Sequence, residues 1–171
     1  MNDTISHYLI QFEAAIQALS ALDLLAILAV VAISKLAQWW GMLPYAIFAL
    51  PGTALHEAAH WITAKALFAS PTFPSLIPNR TEGYWRLGSV NCAATWLNVV
   101  PIAMAPFALI PLSFIYAAYV MHQQQGWSYA LSAWITGTAL QAGFPSSQDW
   151  KVAAPVLCVA TSVIGFFVLV K

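Results

Sequence analysis

The near absence of charge along five apolar stretches restricts this chain more than any other feature, because each stretch is close to the about 20 residues a helix needs to cross hydrocarbon. They are residues 22–40, 43–69, 93–121, 127–144 and 151–170. Only 7% of the 171 residues are charged. A water-soluble domain carries roughly a quarter, so this chain has too little polar surface to coat a fold of its size in water. The expectation is an all-α polytopic membrane protein, a single integral membrane domain over residues 1–171 lying in the lipid bilayer. In hydrocarbon a helix satisfies its own backbone polar groups, which loops and open sheet edges do not.

Details within the stretches refine this. Lys35, Trp39 and Trp40 suit the interfacial end of the first span, where a lysine can snorkel and tryptophans anchor. Pro101, Pro106 and Pro111 interrupt the third, which predicts a bent helix whose freed backbone groups are re-satisfied by neighbours. Residues 1–21 place Ile5, Tyr8, Leu9, Phe12, Ile16 and Leu19 at helical spacing, which predicts an amphipathic interfacial helix. With Asp3 and Glu13, and without a basic leader, this segment does not read as a cleaved signal peptide. Between the second and third stretches, residues 70–92 carry Pro71, Pro74, Pro78, Arg80, Glu82, Gly83, Arg86 and Gly88, and residues 83–91 predict a short strand or β-hairpin.

Formal net charge is zero and the few basic residues are scattered, so no nucleic-acid partner is expected. Cys92 and Cys158 lack metal-ligand or redox spacing and read as free thiols. Five crossings put the N-terminus, residues 70–92 and the loop at 145–150 on one side, with Lys65, Arg80, Arg86 and Lys151 nearby. The positive-inside rule makes that side cytoplasmic, in a cell (inner) membrane.

Chemistry concentrates in the second stretch. His56, Glu57 and His60 form His-Glu-x-x-His. Four residues make about one helical turn, so both imidazoles project from one face and can bind one zinc ion, with the Glu57 carboxylate beside them as a proton acceptor. Such an ion lowers the pKa of water to about 7 and polarises a carbonyl. Burying these groups in a membrane helix is costly and implies function or tight polar packing between helices. A catalytic zinc takes three protein ligands and leaves one position open. Of six acidic residues, Asp3, Glu13 and Asp23 belong to the N-terminal region, Glu57 is the candidate base and Glu82 lies in the polar interval. That leaves Asp149, for which residues 144–150 must dip into the bilayer as non-helical backbone; otherwise Asp149 caps the fifth helix. His7 and His122 are weaker ligand candidates. Asn91 and Asn98 can stabilise an oxyanion or satisfy neighbouring backbone.

The segment HEAAHWITAK in a membrane helix, a hairpin-like interval, a proline-interrupted span and a late Asp after Pro145 together resemble the site-2-protease class of intramembrane zinc metalloproteases. The resemblance covers roughly residues 43–171, as a minimal core without a PDZ domain, and the usual late Asp-Gly is Asp149-Trp150 here. It implies His56, His60 and Asp149 as ligands of one zinc per chain, Glu57 as the catalytic residue, and hydrolysis of peptide bonds in a transmembrane protein or peptide substrate. Two other classes fit the residues: a catalytically inactive metal-binding protein that binds transmembrane helices, and an ion or proton conductor.

Overall fold

The structure is a computed structural model that describes residues 13–14, 16–81 and 84–169. Most of the expected interfacial helix, with His7, lies outside the described residues, as do Glu82 and Gly83. The described chain is mostly helical with one small sheet.

Helix α1 spans Ala21–Trp40, where a capping box starts it: the Ser20 hydroxyl accepts from the Asp23 amide while the Asp23 carboxylate accepts from the Ser20 amide. Gly41, at φ 126°, ends it in a conformation that costs a side chain dearly. Helix α2 (Met42–Phe48) follows, then α3 (Leu50–Ala66), whose Pro51 sits in the first turn where a missing N–H is harmless. Strands β1 (Asn79–Thr81) and β2 (Tyr84–Arg86) pair antiparallel with Arg80 opposite Trp85, as the reading of residues 83–91 anticipated in part, and a Ser75–Ser89 bridge extends the ladder. Helix α4 (Val99–Met104) passes through a 3-10 turn (Ala105–Ala108) into α5 (Leu109–Tyr119) and a second 3-10 turn (Met121–Gln123). Helices α6 (Gly126–Ala142) and α7 (Ser147–Leu169) complete the described chain.

Two segments, Ala21–Trp40 and Val99–Gln123, are long and apolar enough to cross a membrane, and only 22% and 28% of their most apolar windows are buried. The core helix of a water-soluble protein would be mostly buried. Here the outward face of α1 instead presents Leu22, Leu25, Leu28 and Leu36, all more than half exposed.

The second expected span, residues 43–69, is not one helix. It breaks at Ala49 into α2 and α3, and the contacts show why. Phe48, Gly52 and His56 meet Trp134, Thr138 and Ala142 in successive four-residue steps, so α3 runs alongside α6 in the same direction. Asp23 meets Tyr129, and Gly137 meets Ile27 and Val30, so α1 is also parallel to α6. Two consecutive helices parallel to a third require the chain to turn back between them. Seven residues of α2 provide only about 10 Å for this, so α3 begins part-way along the bundle. The start of α1 and the His56 level of α3 consequently lie at opposite ends of α6, rather than on one face as five alternating crossings implied.

Small residues make the close approaches possible. A Cβ at Gly52 would collide with the Thr138 carbonyl oxygen, and one at Gly137 would come within 2.6 Å of the Val30 side chain. At the far end, buried Asp23 accepts from Ser20 (2.8 Å and 2.9 Å), His122 (2.7 Å) and the Tyr129 hydroxyl (3.0 Å), tying α1 to the end of α5 and the start of α6. Gly52→Ala should therefore push α3 off α6 and lower stability by about 1–3 kcal/mol, in the range of overpacking. Thermal unfolding of the variant in detergent beside the wild type measures the difference.

Candidate metal centre

Three residues far apart in sequence meet between α3 and α7. His56 and His60 are one turn apart on α3, and their Nε2 atoms lie 3.1 Å from each other. Asp149, in the first turn of α7, brings Oδ2 to 3.4 Å from His56 Nε2 and Oδ1 to 3.3 Å from His60 Nε2. With one ligand atom taken from each residue, the set closes within 4.8 Å. Ligand atoms about 2.0–2.1 Å from a tetrahedral zinc stand roughly 3.3 Å apart, so the closest approaches match one face of such a site. The group is suited to hold a metal ion.

Hydrogen bonding decides which ring nitrogens face the centre. His56 Nδ1 lies 2.7 Å from the Ala142 carbonyl and His60 Nδ1 2.8 Å from the Ile102 carbonyl. A carbonyl only accepts, so each Nδ1 carries a proton, and a ring in its neutral form turns an Nε2 lone pair inward. Two such lone pairs and a carboxylate repel one another unless a cation or a proton lies among them. The paired backbone carbonyls also orient the ligands as outer-shell groups do in metal sites.

Asp149 reaches this position from a helix that begins at Ser147, so the expected non-helical backbone over residues 144–150 is confined to residues 144–146. Ser146 precedes α7, and its amide donates to Asp149 Oδ2 at 2.6 Å while its hydroxyl accepts from the Asp149 amide at 3.3 Å. Asp149 thus caps its helix and faces both histidines at once; the two roles use the same carboxylate. Trp150, packed edge-on to Phe107 with ring centroids 6.5 Å apart, holds the first turn of α7 against the α4–α5 junction.

Glu57 is 7% exposed and lies against Gly88, where an added Cβ would come within 2.6 Å of its Cγ and 2.8 Å of its Oε1. His56, Glu57, His60 and Asp149 all line one cavity of about 650 Å³, which Arg86 and Gly88 from the hairpin region also border. Its size suits a peptide segment or a drug-sized ligand.

All four residues singled out for chemistry are therefore brought together. Others fall elsewhere. His122 binds Asp23 at the opposite end of the bundle. Asn98 Oδ1 accepts from the Thr95 amide at 2.6 Å, a local turn contact, whereas Asn91 lines the cavity. Lys35, expected at the far interface, also lines it, because α1 runs parallel to α6. The sequence reading missed the Ala142 and Ile102 carbonyls, Ser146 and Gly88. Of these, Ile102 carried a signal, a proline four residues later, and so did Ser146, three residues before Asp149 as in a capping box.

No family model, curated protein or solved structure matches the chain. The geometry of the site itself therefore carries the functional argument. Purified protein should bind about one zinc per chain, and His60→Ala and Asp149→Ala should each lose it while retaining helicity, as metal analysis beside circular dichroism will show.

Proposed function

We propose that this chain is an intramembrane zinc metalloprotease that hydrolyses peptide bonds of membrane-spanning substrates, with Glu57 as the general base. One observation carries the reading: inward-facing Nε2 atoms of His56 and His60 converge with Asp149 beside a buried carboxylate, in a chain whose helices present apolar surface outward. Two histidines and a carboxylate form a catalytic zinc set that leaves a coordination position open. A zinc ion held there acidifies water and polarises a scissile carbonyl.

The chain's own groups perform the rest. Glu57, adjacent to His56 on α3, accepts a proton from the attacking water and returns it to the leaving nitrogen. The backbone around residues 87–91 positions substrate. Its Ser89 and Asn91 groups pair with Ser75 and Thr72 on one edge, while Gly88 and Val90 border the cavity. In a strand, successive residues alternate their backbone hydrogen-bonding sides, so the cavity-facing edge is open to an extended peptide. A substrate helix unwinds to pair there, which exposes the carbonyl that a helix would otherwise occupy.

In this proposal the molecule is polytopic, and the site-bearing end faces the cytoplasm. Lys65, Arg86 and Lys151 belong to elements that border the site, Arg80 pairs with Trp85 of that lining, and the positive-inside rule assigns such an end to that compartment.

Glu57→Gln separates catalysis from binding. It should keep the zinc and lose at least about a hundredfold in turnover, the lower limit of a general acid–base contribution, measured on a transmembrane peptide reconstituted with the enzyme in liposomes. Cleavage at the wild-type rate by that variant would remove Glu57 from the mechanism. Gly88→Ala should displace the Glu57 carboxylate and lower kcat at least about tenfold with zinc content unchanged, because a Cβ there has no room.

A further inference from the structure

The two carbonyls that hold the histidine rings share an unusual condition: neither has its helical partner. In an α-helix each carbonyl accepts from the amide four residues later. For Ala142 that residue is Ser146, whose amide is turned to Asp149 Oδ2. For Ile102 it is Pro106, which has no N–H at all. The Ile102 oxygen instead accepts from the Ala105 amide and from His60 Nδ1 at 2.8 Å. A carbonyl oxygen has two lone pairs, so both are used.

We infer that Pro106 is a positioning residue of the metal centre, acting by withholding an amide from the Ile102 carbonyl so that this oxygen is free to fix the ring of His60. The inference rests on the metal centre proposed above and adds to it the residue that selects the His60 tautomer. Pro106 is fully buried, at the point where α4 tightens into its 3-10 turn. The tightening is the local consequence of the same missing donor, since Ala105 bonds three residues back where Pro106 cannot bond four back. An ordinary residue at 106 brings a third donor to an oxygen with two lone pairs, and inside a bundle the helix amide competes at close range with a side-chain ring. His60 then loses its tether, and its Nε2 no longer stands fixed beside His56 and Asp149.

The prediction separates the amide from the ring. Pro106→Ala removes the pyrrolidine and restores an N–H; replacement of Pro106 by lactic acid, giving a backbone ester, removes the same ring without restoring one. Both are made in the full-length protein, and zinc affinity is measured in detergent by competition with a chelator. Pro106→Ala should bind zinc at least about tenfold more weakly, within the 10–100-fold range for loss of an outer-shell partner, while the ester stays within about threefold of wild type. Failure of Pro106→Ala to fold while the ester folds also supports the inference, because the two differ at the amide. Equal zinc affinities, or failure of both to fold, would assign Pro106 to ring packing and overturn it. A wild-type protein that holds no zinc overturns the metal centre itself, whereas zinc binding that is unaffected by Pro106→Ala overturns only the role of Pro106.

Discussion

The meeting of three electron-rich groups at 3.1–3.4 Å is the constraint on which the rest of the structure depends. Two imidazole lone pairs and a carboxylate cannot rest against one another in a largely buried site without a positive charge among them, and the low local dielectric raises the penalty. Everything around the group serves to hold those atoms inward. Backbone carbonyls take the outer ring nitrogens, a serine amide takes one carboxylate oxygen, and packing against Phe107 fixes the turn that carries the aspartate.

The helix arrangement follows from the same need. A histidine pair on a helix that crossed from the opposite face would meet α6 at a different level. The turn at Gly41 and the short α2 bring α3 in part-way along the bundle, so that His56 arrives at the last carbonyl of α6, where helical pairing has ended. Glycines at 52 and 137 let these helices lie close enough for side chains to reach backbone across the interface. The far end of the bundle is tied independently through Asp23, a carboxylate whose donors come from the chain preceding α1, from the turn after α5 and from α6.

Much of the site was legible in the sequence because its chemistry is local or rare. His56, Glu57 and His60 lie within a single helical turn, and their relation needs nothing beyond the helical period. Asp149 was found by elimination among six acidic residues, a route open only because charge is so scarce. The helices over residues 22–40, 127–144 and 151–170 correspond to α1, α6 and α7 with shifted ends. The division of residues 43–69 was not legible, since an apolar run reads alike whether it crosses once or turns back. Nor was the helical state of Asp149, because a residue that caps its helix and faces a metal site looks the same in sequence as one that does only the first.

The sequence by itself determined that the chain is helical and apolar, that two histidines share a helix face, and that one late aspartate was available to join them. These properties reside in composition and in spacings of a few residues. Tertiary structure alone decided that α1, α3 and α6 run in one direction, that the hairpin region reaches Glu57 through Gly88, and that the Ile102 and Ala142 carbonyls hold the rings. Those contacts join residues about 30 to 110 positions apart, and no period or propensity encodes which of many apolar faces will meet. Pro106 stands between the two cases: its missing N–H is written in the sequence, but only the fold shows which side chain takes the carbonyl it leaves free.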